Sequence, residues 1–146
     1  MSKRLILTGV IFLVVGVLMV SYLSTQDYKS RVVLGGKTFN VDVADNDYTM
    51  QKGLSGRKLI ADNEGMIFIF GKLDKHGFWM KEMKFPIDII WMDKNFVINH
   101  IESNVEPSTY PTIFYPENNA LYVLEVRAGQ SSILGVKLGD KAQFVR

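Results

Sequence analysis

The feature that most constrains this chain is an unbroken apolar run, LILTGVIFLVVGVLMVSYL from Leu5 to Leu23, with no charge from Leu5 to Gln26. As a helix rising about 1.5 Å per residue it would span roughly 28 Å, close to the roughly 30 Å hydrocarbon core of a bilayer. It is apolar on every face, which suits lipid better than the flank of a water-soluble core. Gly9 and Gly16 are ordinary in membrane helices, and Tyr22 stands where an interfacial aromatic anchor belongs. Lys3 and Arg4 precede the run and favour a cytoplasmic N-terminus. The expected organisation is therefore a cytoplasmic tail over 1–4, a single transmembrane helix over 5–23, a polar linker over 24–30 and an extracytoplasmic domain over 31–146. The alternative is a secretory signal that is cleaved off. Against it, the run exceeds the usual roughly 7–15 apolar residues, and no A-x-A-like site follows.

The charge balance separates the two parts. The formal net charge is +2, and Lys3 and Arg4 carry all of it, so the remaining basic residues match the 15 acidic ones. A neutral domain has little pull on phosphate, and nucleic acid is not an expected partner. The absence of cysteine removes disulfides, thiol nucleophiles, cysteine-ligated zinc and a lipid-modified cysteine together. With two histidines, no metal and no cofactor are expected.

Beyond the linker the pattern is that of short strands. Arg31 to Leu34 and Lys37 to Val43 flank Gly35-Gly36, a hairpin signal, because the glycines supply the positive φ of a tight turn. Asp45 is a candidate N-cap for a short helix over Asn46 to Lys52, ended by Gly53. Strands are expected at Met66 to Phe70, Gly77 to Met80, Ile87 to Met92, Phe96 to Ile101, Leu121 to Val126 and Lys141 to Val145. A helical turn is expected over Ser131 to Val136. The fold class that follows is mainly β, a compact antiparallel β-sandwich or barrel with one or two short helices. Glu102 to Asn119, with three prolines and Tyr110, Phe114 and Tyr115, reads as one long loop.

Read in order, VDVAD (41–45), GLSGR (53–57), GMIFIF (65–70), FWMK (78–81), PIDIIWMD (86–93), VLEV (123–126) with Ala128-Gly129, and GVKLGD (135–140) form one series. The series resembles the DUF192 (UPF0127) family, small proteins of unknown function, over about Val32 to Val145. The resemblance implies a β-sandwich-like domain and no reaction. Two departures stand out: Ser55 where the family usually has Met, and Glu82-Met83 where it usually has Asn-Thr.

Arg57, Trp79, Lys81, Asp88 and Glu125 occupy motif positions. An Arg beside a carboxylate either locks the barrel or reads a polar ligand. On a strand Trp79 and Lys81 share one face and Met80 takes the other, so a Trp beside a Lys could stack a sugar or another flat ligand. The same residues could instead be a half-buried Trp under a Lys stem. Asp88 with Glu125 is the best carboxylate pair for glycosidase chemistry, which needs two acids flanking one cleft. Ser55, Ser103 and Ser108 lack a nucleophile-elbow context. His76, Met80 and Met83 have the ligand types for copper(I) but do not share a face. The expected function is a non-enzymatic ligand-binding or protein-interaction module at the cell envelope, using Arg57, Trp79, Lys81, Tyr110 and Tyr115. Its expected partners are the membrane and an envelope protein or polar glycan; the alternative is a polysaccharide hydrolase using Asp88 and Glu125.

Overall fold

The computed structural model describes residues 30–146; the expected tail, membrane helix and all of the linker but Ser30 lie outside the described residues. Among the described residues no helix is long and apolar enough to cross a membrane. The elements run β1 (Arg31–Leu34), β2 (Lys37–Ala44), α1 (Asp47–Lys52), β3 (Glu64–Asp74), β4 (Phe78–Trp79), β5 (Ile87–Met92) and β6 (Ile98–Val105). A 3₁₀ turn (Pro107–Thr109), β7 (Ile113–Phe114), β8 (Ala120–Arg127), α2 (Gln130–Ile133) and β9 (Gln143–Val145) follow.

Seven strands form one sheet in the order β6-β5-β8-β3-β2-β1-β9, and β4 pairs with β7 in a separate ribbon. The expected antiparallel pattern holds with one exception, because β2 and β3 are parallel. A parallel neighbour needs a crossover rather than a hairpin, and α1 with the chain down to Asn63 supplies it. The sheet curls into a half-barrel, and its two edge strands meet at one end. There the Ile98 amide donates to the Asp140 carbonyl at 2.8 Å, the Gly139 amide to Ile98 at 2.9 Å and the Ala142 amide to Phe96 at 3.0 Å.

The central strands read as continuous apolar runs because both of their faces are covered. Inside the curl, Val32, Phe39, Val41, Ile67, Ile90, Met92, Leu124 and Val126 make one core. On the outer face Met66, Phe68, Ile87, Ile89, Trp91 and Val123 make a second, roofed by Leu54, Ile60, Phe78, Met80 and Met83 from the irregular segments. Trp91 is fully buried, and its indole N–H donates to the His76 carbonyl at 2.9 Å.

Local details refine the sequence expectations. The cap of α1 is Asn46, one residue later than expected. Its side chain accepts from the Thr49 amide at 3.0 Å, and the Thr49 hydroxyl lies 3.3 Å from the Asn46 amide, a reciprocal box. Asp45 instead takes Arg146 at 2.6 Å. The expected loop from Glu102 to Asn119 is partly ordered as the end of β6, the 3₁₀ turn and β7. β7 lies on β4 with Phe114 opposite Phe78 and Ile113 opposite Trp79.

Candidate binding site

Strand register decides which carboxylates share a face. Glu125 on β8 sits opposite Met66 of β3 and Ile89 of β5, both members of the outer core. Asp88 lies between Ile87 and Ile89, so its side chain leaves the opposite face of the sheet. Asp88 and Glu125 therefore do not flank a common cleft, which two glycosidase acids require.

Asp88 is fully buried and saturated. One oxygen accepts the amides of Asn104 at 2.8 Å and Gly129 at 3.0 Å, while the other accepts the Ser131 amide at 2.8 Å and hydroxyl at 2.7 Å. These bonds fasten β6 and the start of α2 to β5. Charge-assisted bonds to several backbone amides make this carboxylate a clamp, which leaves it no free lone pair for chemistry.

Glu125 is the opposite case. It is only 5 % exposed, and its Oε2 is buried without a hydrogen-bond partner. Burial pushes its pKa up from 4.5 to about 8, against a smaller opposing pull from the Arg57 guanidinium. At neutral pH it is mostly a carboxylic acid. It borders a cavity of about 120 Å³ whose other walls include Met50, Leu54, Phe68, Phe78, Met83 and Trp79.

The GLSGR segment forms the rim of this cavity. Gly53 and Gly56 take φ of +49° and +77°, so the chain turns sharply out of α1 and then runs along the cavity mouth. The Ser55 hydroxyl donates to the Lys81 carbonyl at 2.7 Å, and the Gly56 amide donates to the Glu82 carbonyl at 3.0 Å. These bonds pin the loop to the turn after FWMK. Glu82 in that turn has φ of +57°. The left-handed region tolerates Asn better than Glu, a backbone reason for the Asn that the family usually carries there.

Arg57 pairs with Asp42 at 2.7 Å, both side chains being more than a third exposed. Asp42 on β2 is opposite Met66, which is opposite Glu125, so Asp42 and Glu125 lie on one cross-strand row with Met66 between them. An open groove of about 520 Å³ runs over Asp42, Gly53, Ser55, Gly56 and Arg57. A shallower depression of about 290 Å³ lies toward Tyr48, Lys81 and Glu82. Lys52 and Ser55 border both depressions and the Glu125 cavity, so the three lie side by side.

Four of the five residues expected from sequence to bind a ligand come together beside this cavity. Trp79 is 46 % exposed, with the Tyr110 ring 5.9 Å away edge-on and the Lys81 ammonium 5.7 Å from its ring centre. Tyr115 is exposed, and its ring lies over Gly77, where even a methyl group would come within 2.5 Å of it. Arg57, the fifth, stands in the adjoining groove. Asp42, Lys52 and Ser55 were not singled out from the sequence as site residues. Asp42 within VDVAD and Ser55 within GLSGR were visible as motif members, but only register and the turn reveal what they face.

His76 holds its Nε2 3.0 Å from the Lys72 carbonyl and stacks its ring 3.5 Å from Phe70, while Met80 and Met83 sit in the outer core. His100 contacts Glu102 at 3.1 Å. The Ser103 hydroxyl contacts that of Ser131 at 3.0 Å, which places it next to the Asp88 clamp.

Most of the motifs, GMIFIF through Phe68 among them, gather around one site. GLSGR, FWMK and VLEV line the Glu125 cavity, VDVAD lines the adjoining groove, and PIDIIWMD with Ala128-Gly129 builds the clamp on the other face of the sheet. The profile of the DUF192 family, described as "Uncharacterized ACR, COG1430", matches residues 30–144. The chain belongs to the DUF192 family. Among solved structures, this DUF192 chain is similar to a protein of unknown function from Novosphingobium aromaticivorans DSM 12444. Identity is 32 %, the TM-score is 0.72, and the match covers 78 % of this chain and 82 % of that one. It is also similar to a Sinorhizobium meliloti 1021 protein whose name calls it a candidate transcription regulator. There identity is 30 % and the TM-score 0.72, over 79 % of this chain and 91 % of that one. No curated protein matches it.

Proposed function

We propose that this DUF192 domain is a non-enzymatic binding module, held at the outer face of a membrane by the 5–23 helix, for a flat polar ligand of the envelope such as a glycan. The supporting observation is the exposed Trp79–Tyr110 pair beside a cavity that ends on an unpartnered carboxyl group. Aromatic faces stack on the apolar face of a sugar ring, while Lys81 and Arg57 supply donors at its edge. An exposed Trp in contact with an exposed Tyr is an apolar surface of the kind that marks interaction sites. The neutral charge balance beyond Arg4 argues against nucleic acid as the ligand.

The two tryptophans give a direct assay, since Trp79 is half exposed and Trp91 is fully buried. Iodide quenching of the full chain reports Trp79 selectively. Addition of envelope oligosaccharides should protect it, and Lys81→Ala and Tyr110→Ala should weaken that protection. Quenching that no glycan alters, together with retention of one envelope protein on the immobilised chain, would overturn the glycan reading in favour of a protein partner. Resistance of the chain to carbonate extraction from membranes tests the anchor.

A further inference from the structure

A pocket that holds an unpaired carboxyl group is costly to keep, because a buried polar atom without a partner loses its hydration for nothing. Glu125 is such a group, and apolar Phe68, Phe78, Met83 and Leu54 share the lining of its cavity with polar Gln51 and Lys52. Gly53 leaves the approach open, since a methyl group there would lie 4.0 Å from Glu125 Oε2. At about 120 Å³ the cavity is the smallest of the three depressions, and a substituent of a few heavy atoms enters it without displacing its walls. That substituent needs an apolar end for the walls and a polar atom for the carboxyl group.

Charge narrows the choice. The charged groups around the cavity are Arg57 with its partner Asp42, and Lys52 on the lining, while β3 and β5 present Met66, Phe68 and Ile89 to Glu125. Arg57 and Lys52 against the single anion Asp42 leave a net positive charge at the mouth, which disfavours entry of an ammonium group. A carboxylate would lose its hydration among aromatic walls while Arg57 stays committed to Asp42. An uncharged group that accepts a hydrogen bond satisfies both conditions.

We propose that the Glu125 cavity is a subsite for the acetamido group of an N-acetylated sugar, whose ring lies outside against Trp79. The methyl group packs among Phe68, Phe78 and Met83, and the Glu125 hydroxyl donates to the acetamido carbonyl. This rests on the reading of the Trp79 surface as a glycan platform. It adds a selectivity that the platform alone does not have, because stacking is indifferent to the substituent on the sugar's second carbon. A carboxyl that donates also makes the selectivity fade as pH rises past the ionisation of Glu125 near 8.

The test is calorimetric titration of the full chain in a zwitterionic detergent with three trisaccharides: tri-N-acetylchitotriose, cellotriose and the fully de-N-acetylated glucosamine trimer. The acetylated sugar should bind at least about tenfold more tightly than cellotriose at pH 6, the range for a buried polar group left unpaired. That ratio should shrink toward one at pH 9.5. Glu125→Gln, which keeps a donor, should retain the ratio and lose its pH dependence; Glu125→Leu should abolish the ratio, while its circular dichroism and cooperative thermal unfolding show that the variant is folded. Equal binding of the acetylated sugar and cellotriose, both abolished by Trp79→Ala, would overturn the subsite and keep the platform. Tightest binding of the glucosamine trimer would overturn it in favour of an ammonium site. Equal affinity for N-acetyl-lysine amide would overturn the assignment to a sugar. No binding of any trisaccharide would overturn subsite and platform together.

Discussion

Glu125→Gln tests the protonation state on which the site reading depends, and it does so through folding stability, without any ligand. Below about pH 4.5 the Glu125 carboxyl group is neutral in both the folded and the unfolded chain, so pH has no leverage through it. Between 4.5 and about 8 the unfolded chain ionises at this position while the folded one keeps its proton. The folded state then binds the extra proton, and stability falls as pH rises across that window; above 8 both states are ionised and the loss stops growing. At roughly 1.4 kcal/mol per pH unit, the loss between pH 4 and pH 7 is about 3 kcal/mol. Glutamine is neutral throughout and escapes it.

The absolute stability of the variant also carries the cost of an extra buried N–H, about 1–3 kcal/mol, so the informative quantity is a difference of differences. Urea unfolding of both proteins from pH 4 to 8, followed by tryptophan fluorescence, gives that quantity, because every other titrating group cancels between wild type and variant. The variant should gain about 3 kcal/mol on wild type between pH 4 and pH 7, with most of the gain above pH 5. Parallel stability profiles, within about 1 kcal/mol over that range, would refute the reasoning. They would mean that Glu125 is already ionised in the folded protein and that its cavity is wet.

Three further outcomes follow from neighbouring residues. Arg57→Ala removes the one charge that pulls the Glu125 pKa down, so the pH at which the wild-type loss levels off should move upward, read from the same urea series. Asp88→Asn leaves one accepting oxygen for donors that now come from Asn104, Gly129 and Ser131. It should cost about 3 kcal/mol and speed amide hydrogen exchange at those three residues, whereas a surface role for Asp88 would leave exchange unchanged. Glu82→Gly relieves a left-handed backbone at an exposed turn and should stabilise by about 0.5–1 kcal/mol in thermal unfolding; no gain would mean that the turn relaxes without cost.

Much of the fold was legible because the physics that sets it is local. The Gly35-Gly36 hairpin and the Gly53 stop of α1 depend on backbone conformations that few other residues adopt, and β5 over Ile87–Met92 lies where its apolar run places it. The parallel pairing of β2 with β3 was not legible. Strand patterns are the same in both directions, and only the crossover through α1 fixes the sense. The Asp45–Asn46 ambiguity at the cap of α1 is of the same kind, since both side chains can cap and the partner that claims Asp45, Arg146, lies a hundred residues away.

The site was legible as residue types and illegible as a constellation. Asp88 and Glu125 both appear as acids within apolar strands, and composition offers no way to tell them apart. What separates them is parity: Asp88 is opposite Val126 and Glu125 is opposite Ile89, so one residue of register puts them on opposite faces. One then finds amides at the start of α2, and the other lines a cavity beside Trp79. The same parity brings Asp42 onto the row of Glu125, three strands of one sheet contributing Asp42, Met66 and Glu125 in line. A clamp and a cavity-lining acid can therefore share one sequence signature, and the difference in their chemistry comes from what packs against each face of the sheet.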